Sequence, residues 1–529
     1  MNRILFFVIN VILSANFAAG ISAGEAAVRK AEQLSVLRFE HPPFDSLAWL
    51  RADLTGETIP APAGYTAAMP YRPFTNYSGD VSGRFIEFAA VLKQHNAVLG
   101  KVTGENYEKL LGEIPKLQRP GGYFGSGKLD WEKTVIAENE FKTKYTPALW
   151  GNSRMLCGLI ESYKAQPQQE ILHAAEKLGD FYAGIAPQWT SPSFIARYVG
   201  STPETVKDAL QTGTPLPVKD SYAAAFGTCF FPAIEGLVKL YQLTKKKKYL
   251  DTAEQLAAFY RAFDLLRTSH IHGMLCSYYG ILLLYETTGS PEYLQRAEKR
   301  WTDLVRAGIA APTGGVPEGV NRHVDEGCAE ADWLRVNLKL YQLTKNEKYR
   351  RMFHRLLNNH YLMNQWLSGG FGHRQILQDA RGQFGFGKGH SEAVWCCDFH
   401  GALGLQYYSE AASRMEAIKN TDSKKLTIEK VTTEKLTIEN RCFETVDAVK
   451  NPQQIVFSYQ DKLFYAKGET VIWKIDLTTL KAEENGYKFL TVDGFHPQTK
   501  QKKLLTLTTM GSGSENETGV FVFDAAGTE

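Results

Sequence analysis

Leu237-Val238-Lys239-Leu240-Tyr241-Gln242-Leu243-Thr244-Lys245 recurs almost letter for letter as Asn337-Leu338-Lys339-Leu340-Tyr341-Gln342-Leu343-Thr344-Lys345. Each copy is followed by a Lys-Tyr pair, Lys248-Tyr249 and Lys348-Tyr349, and then by a second amphipathic stretch. A third copy is Leu282-Leu283-Leu284-Tyr285-Glu286-Thr287-Thr288-Gly289, with Tyr293 and Ala297 after it, and a looser fourth lies at Leu159-Ile160-Glu161-Ser162-Tyr163. The apolar spacing is helical, so each copy reads as a helix, a short polar turn and a returning helix. The copies lie about 44 to 78 residues apart, too irregular for an open solenoid of fixed period. Hairpins joined by long inserted loops suit a closed ring of helices whose loops gather at one end as a rim. The pattern predicts a mainly α chain built on an (α/α)6 toroid.

Outward from the repeats, a helical pattern starts at Gly83, where Phe85, Phe88, Ala89 and Leu92 keep helix spacing. A second helix, Tyr107 to Leu117, stops at Arg119-Pro120-Gly121-Gly122, and 150–163 with 169–183 reads as a further pair. The barrel is therefore expected over 83–418. Before it, Arg38 to Tyr77 is rich in Pro, Gly and aromatics with little periodicity, so 21–82 is expected to be irregular. After it, composition changes near Asn420-Thr421-Asp422-Ser423-Lys424, and Lys425 to Glu429 repeats as Lys435 to Glu439 with strand alternation. Ile455 to Tyr459, Leu463 to Tyr465, Val471 to Ile475, Leu504 to Leu507 and Val520 to Phe523 continue it, which predicts a C-terminal all-β sandwich over 419–529.

Met1 to about Gly20 reads as a secretory signal: Arg3 supplies the charge, Ile4 to Leu13 is apolar except Asn10, and Ala18-Ala19-Gly20 supplies small residues. The run is short for a membrane span and no other window approaches that length, so a secreted or periplasmic chain without a stable membrane anchor is expected. In an oxidising compartment an odd number of cysteines is a liability unless some are buried or metal-bound, and this chain has 7. Net charge is only +3, from 60 basic and 57 acidic residues, which offers no electrostatic case for nucleic acid. Lys245 to Lys248 lies in a helix-connecting turn and reads as solvated surface.

Glu326 stands two residues before Cys328, and Cys396-Cys397 follow some seventy positions later. One carboxylate and three thiolates make a plausible set of four metal ligands whose softness favours zinc over magnesium or calcium. Two adjacent thiols cannot both reach one ion from a regular strand, so this pair is expected on an irregular turn. Cys157, Cys229, Cys276 and Cys442 read as buried small hydrophobes. Metal coordination deprotonates a thiol, so a bound sulfur keeps nucleophilic character. In the glycoside chemistry implied by the family that Glu326-Gly327-Cys328-Ala329 and Trp395-Cys396-Cys397 resemble, it could attack an anomeric carbon. An acid facing it must protonate the departing oxygen and later deprotonate water. Glu318 is the candidate, because Thr313-Gly314-Gly315-Val316-Pro317 reads as a loop leading into the site; Glu330 and Glu392 stand behind it. His270 and His272 are candidates to contact sugar hydroxyls, and Trp150 and Trp395 to stack on sugar faces.

Thr313-Gly314-Gly315, Glu326-Gly327-Cys328-Ala329 and Trp395-Cys396-Cys397 together resemble the zinc- and cysteine-dependent β-L-arabinofuranosidases of glycoside hydrolase family 127 and their relatives. The repeated Leu-Val-Lys-Leu-Tyr, the Gly121 to Phe124 segment and Ser269-His270 resemble that group too, so the similarity runs from about Gly83 to Leu405. The resemblance implies a six-hairpin (α/α)6 barrel followed by β domains, a zinc held by Glu326, Cys328, Cys396 and Cys397, retaining hydrolysis of a glycan, and Cys396 as nucleophile. The chain departs from the family where Gly151, Gly158 and Phe230 stand in place of family histidines, and its segment from Thr313 to Glu326 is shorter. Two other readings stay open: a non-catalytic zinc-stabilised carbohydrate-binding protein, and a different (α/α)-barrel enzyme such as an unsaturated-uronide hydrolase.

Overall fold

The computed structural model describes residues 23–415 with interruptions, the longest being 57–76 and 217–227, and five strands between 454 and 508. In chain order the main helices are α1 (Ala23–Arg38), α2 (Leu47–Thr55), α3 (Asp80–Gln94), α4 (Lys101–Leu117), α5 (Thr146–Ala165) and α6 (Gln169–Trp189). They continue with α7 (Pro192–Val199), α8 (Pro203–Thr212), α9 (Ala233–Thr244), α10 (Lys247–Tyr260) and α11 (Ile271–Thr288). The set ends with α12 (Pro291–Arg306), α13 (Gly327–Thr344), α14 (Glu347–Leu356) and α15 (Cys397–Met415).

Six of these close a ring: α3 packs on α5, α5 on α9, α9 on α11, α11 on α13, α13 on α15, and α15 back on α3. Outer helices cover them, α4 on α3, α6 on α5, α10 on α9, α12 on α11 and α14 on α13. The sixth outer helix is α1, which packs on α15, so the last hairpin joins the two ends of the described barrel. The architecture is the α/α toroid expected from the repeats. Inner helices are buried nearly all round: α5 buries every residue from Thr146 to Ser162. Outer α12 buries only Ala297, Trp301 and Leu304, the stripe of a surface helix.

Residues 21–82 were expected to be irregular, and here the structure differs, because α1 and α2 lie within them. The buried face of α1 is Val28, Ala31, Ser35 and Arg38, too polar to give an apolar period. Its docking is largely hydrogen-bonded: Ser35 Oγ donates to the Gly369 carbonyl at 3.0 Å and Gln365 Nε2 to the Ala31 carbonyl at 2.8 Å. Arg38 pairs with Glu392 and lies 3.7 Å from Asp398, and Phe39 stacks on Phe399 at 4.9 Å.

Inner helices α3 and α5 meet backbone to backbone. A Cβ on Gly83 would sit 2.5 Å from the Met155 nitrogen, and one on Gly158 would strike the Gly83 carbonyl. Gly151 faces the Ser78 carbonyl in the same way. Two of the places where the resembled family carries histidines are thus filled by neighbouring backbone.

In the C-terminal region β5 (Gln454–Tyr459), β6 (Lys462–Lys467), β7 (Val471–Asp476), β8 (Phe489–Phe495) and β9 (Lys502–Thr508) form one antiparallel sheet in sequence order. A sandwich needs a second sheet, and among the described residues there is one five-stranded meander. The expected strands at 425–429, 435–439 and 520–523 lie outside the described residues, as do Met1 to Gly20.

Lys245 and Lys345, at the ends of the two closest repeats, cap their helices in the left-handed region (φ 59° and 57°), where the third copy has Gly289 (φ 71°). Left-handed backbone costs a non-glycine residue about 1 kcal/mol or more, offset in part by lysine ammonium groups 5.7 Å and 5.9 Å from the Tyr241 and Tyr341 rings. The double change Lys245→Gly with Lys345→Gly should therefore raise unfolding stability by about 1 kcal/mol, read from denaturant midpoints. An unchanged or lower midpoint would show that the tyrosine contacts dominate.

Candidate functional site

Glu326 caps the start of α13 in extended backbone, and Cys328 sits in that helix's first turn. Cys396 lies in the turn before α15, and Cys397 is that helix's first residue, so the adjacent cysteines straddle a turn and a helix start where an irregular turn was expected for both. A short ladder of β1 (Gly372–His373) on β4 (Ser391–Glu392) brings the chain to that turn, where the Ala393 amide donates to the Phe371 carbonyl at 2.9 Å. Ligand atoms of Glu326, Cys328, Cys396 and Cys397 all lie within 4.8 Å of one another.

Cys328 and Cys397 sulfurs are 3.6 Å apart, and those of Cys396 and Cys397 are 3.7 Å apart. Tetrahedral zinc with bonds of about 2.3 Å to sulfur sets two sulfurs about 3.8 Å apart, so the spacing fits that ion with little movement. His270 caps α11; its Nδ1 accepts the Gly273 amide at 3.3 Å, which leaves the ring proton on Nε2, 3.3 Å from Glu326 Oε2. Among the described residues Glu326 Oε2 is buried without a hydrogen-bond partner, an orphaned acceptor of the kind a metal would satisfy, with the His270 ring beside it. Burial works against charge on His270, but the neighbouring Glu326 outweighs it and raises the pKa. Burial pushes the Cys328 and Cys397 thiols up, while hydrogen bonds from those two hold Cys396 well below the ordinary thiol range. Cys396 is partly exposed and the other two are buried.

Glu318 is pinned on both sides. Its carbonyl accepts the Ile271 amide at 2.8 Å, Gly319 bridges to His270, and Pro317 bridges to Asp325. Its charge is felt at His270, Glu326 and His373. Glu392 is engaged by Arg38 and by Ser368 at 2.9 Å, and Glu330 is wholly buried beside His360. His373 is the residue that sequence reasoning missed at this rim. Its Nδ1 lies 3.0 Å from the Asp325 carbonyl, and the charges of Glu326, Cys396 and Glu318 raise its pKa against the effect of burial.

Two expected sugar contacts are corrected. Trp150 is buried beneath the site; its Nε1 donates to Asp80 at 2.9 Å, and the Arg84 and Arg154 guanidinium carbons stand 5.5 Å and 5.6 Å from its ring. His272 is 1% exposed, edge-on to Trp150, and hydrogen-bonded to Asp332. Their inner helices, α5 and α11, turn both inward, where the ring needs partners for buried charge. Trp395 lies outside the described residues.

Two further groups converge closely enough to suggest an ion, and their chemistry argues otherwise. In His272, Cys276, Asp332 and His400, Arg84 Nη2 approaches His272 Nε2 at 3.1 Å. Arginine only donates, so His272 carries its proton on Nδ1, facing Asp332. His400 Nε2 lies 2.8 Å from Asp332 Oδ1 and so donates, while its buried Nδ1 has no hydrogen-bond partner among the described residues. Both rings thus present N–H where a metal needs a lone pair. Cys276, expected to be a plain hydrophobe, donates to Asp332 at 3.1 Å and accepts from Arg335 at 3.4 Å. Around Glu87, Cys157 and Glu235 the cation is already present: Lys239 Nζ is 2.9 Å from Glu235 and 3.9 Å from Glu87.

His360 and His400 are wholly buried, and burial pushes their pKa values down to about 3 and about 4 from 6.5. The unfolded chain binds these protons near pH 6.5 and the folded chain does not, so their contribution is full above that pH and is lost as pH falls towards 4. His400→Gln should flatten this acid limb by about one proton, read as denaturation midpoints between pH 7 and pH 4. An unchanged slope would mean that His400 does not titrate in that window.

No protein-family model matches the chain, and no curated protein matches it. Among solved structures it is similar to a GH127 β-arabinofuranosidase, with 16% identity over 74% of this chain and 60% of that one and a TM-score of 0.45. It is similar to a GH127 β-L-arabinofuranosidase from Geobacillus stearothermophilus T6, with 12% identity, 89% and 71% coverage and a TM-score of 0.47. It is also similar to an unsaturated glucuronyl hydrolase specific for heparin, with 11% identity, 74% and 98% coverage and a TM-score of 0.41. The chain spans 60% of the length of the first of these.

Proposed function

We propose that this chain is an exported, retaining glycoside hydrolase that removes a terminal sugar from a glycan with Cys396 as nucleophile and Glu318 as acid/base. In this reading residues 1–20 are a cleaved signal, 83–418 the catalytic barrel and 419–529 a β-sandwich-like domain. The observation that carries it is the convergence of Glu326, Cys328, Cys396 and Cys397 within 4.8 Å, from two stretches of the barrel sequence some seventy positions apart. Zinc, when bound, would keep the three sulfurs as thiolates and fix their orientation.

Cys396 is the sulfur with solvent access, which favours it over Cys328 and Cys397 as the attacking atom. Its thiolate forms a bond to the anomeric carbon while the glycosidic C–O bond breaks and the departing oxygen takes the proton of Glu318. The Glu318 carboxylate then removes a proton from water, which attacks the same carbon, and the C–S bond breaks to restore the thiolate. Two attacks at one carbon retain its configuration. The sugar is of the β-L-arabinofuranoside type or related to it. Neighbouring backbone leaves no room for a side chain at Gly151 or Gly158, and Phe230 is buried, so the sugar is held by groups other than the family's first histidines.

Purified protein should carry about one zinc per chain, and Cys328→Ser should lower both zinc content and stability. Full activity in a metal-free sample would instead favour a zinc-independent (α/α)-barrel enzyme, and zinc without turnover of any glycoside would favour a binding protein. Glu318→Gln should slow substrates with poor leaving groups roughly a thousandfold, and activated aryl glycosides far less in the first step. Azide should partly restore that variant on activated substrates, while Cys396→Ser should lose both substrate types and gain nothing from azide. A fully active Glu318→Gln would remove Glu318 from the mechanism.

A further inference from the structure

We infer that Arg84 is a positioning residue for this centre: its guanidinium holds the Cys328 sulfur as a fixed donor and draws electron density from it. The inference rests on the metal-binding reading above and assigns a role to a residue that belongs to neither the donor set nor the acid/base. Arg84 comes from the first inner helix, α3, and is 1% exposed. Its three nitrogens have separate partners. Nε donates to Asp80 at 2.7 Å, Nη2 to His272 Nε2 at 3.1 Å, and Nη1 to Cys328 Sγ at 3.4 Å.

The first two partners are themselves held. Asp80 accepts the Trp150 indole N–H at 2.9 Å, and His272 donates to Asp332. Asp332 is fixed in turn by Arg335 at 2.6 Å and by His400 at 2.8 Å. A planar fork gripped at two corners can aim its third only one way, and that way ends on the Cys328 sulfur. The neutral His272 ring, with its Nδ1–H on Asp332, leaves Nε2 to accept from Arg84, which is what makes this grip possible.

Chemistry supplies the reason for such a group. Three thiolates and one carboxylate around a dication carry a net charge of −2, and Cys328 and Cys397 are fully buried. An N–H donated to a thiolate stabilises its lone pairs, so the sulfur stays in place and is a poorer nucleophile. Among the described contacts, the guanidinium hydrogen bond falls on buried Cys328 and not on accessible Cys396. The division of labour between an anchoring and a reacting sulfur then has a physical cause in α3.

The test uses the full chain and two variants. Arg84→Met leaves Asp80 as an uncompensated buried charge and is liable not to fold, so it is paired with Asp80→Asn to keep the site neutral. Arg84→Lys keeps the charge and loses the fork. Zinc affinity is measured by chelator competition, and cobalt(II)-loaded protein is read by its sulfur-to-metal charge-transfer band. Expected is at least a tenfold loss of zinc affinity in the double variant, with a shift of the band to longer wavelength. Arg84→Lys should recover part of the affinity. A double variant that loses stability but keeps the wild-type affinity and band would overturn the inference and leave Arg84 a structural residue. If the wild-type chain takes up neither metal, the metal-binding reading itself falls, and this inference with it.

Discussion

Helices α3 and α5 touch through their main chains, and much of the site follows from that contact. With no side chain on Gly83 or Gly158 to hold them apart, the two axes come together, and residues one or two turns away are forced into shared space. Asp80 and Arg84 on one helix meet Trp150 on the other, and Arg84 reaches on to Cys328. Any side chain at Gly158 would have to displace a neighbouring carbonyl, at a cost typical of overpacked cores of about 1–3 kcal/mol. The same closeness leaves no room for side chains at Gly151 or Gly158.

The inside of the ring is polar, which is unusual for a helical core and costly unless every charge is matched. Here the matching is extensive. Arg335 forks onto Glu235 at 2.7 Å and 3.0 Å, and Arg154 and Lys239 reach the same carboxylate. Asp332 collects two histidines, a thiol and a guanidinium. Each removed partner would strand a buried charge, so these residues specify how the inner helices register against one another more than they add stability.

What was legible in the sequence was what repeats or what is chemically rare. The Leu-Tyr-Gln-Leu-Thr-Lys copies end inner helices α9 and α13, and their shared spacing gave the ring. Adjacent cysteines with a distant Glu-x-Cys stand out because few folds need them, and the structure brings these four residues together. Illegible were groups whose partners lie far along the chain. Asp80 and Arg84, four residues apart, look like a solvated helix pair, and only the toroid buries them. His272 and Trp150 look available for a ligand until Asp332 and Asp80 are seen to claim them. Helix α1 was missed because a face made of Val28, Ala31, Ser35 and Arg38 carries too little apolar contrast to register as a period.

That first helix has a consequence for how the molecule assembles. It is the outer partner of α15, and its Arg38 grips Glu392 and approaches Asp398, on either side of Cys396-Cys397. The ring is thus fastened by a clasp whose halves are more than three hundred residues apart in sequence. Contacts of such long range are slow to form because the whole intervening chain must first be drawn in. Five hairpins can fold from local contacts as the chain lengthens, whereas the sixth waits for both ends. The paired cysteines sit at that seam, between the neighbouring helix α13 and the clasp made by α1. Until both ends meet, the Cys396 and Cys397 sulfurs lack the surroundings that enclose them in the folded ring.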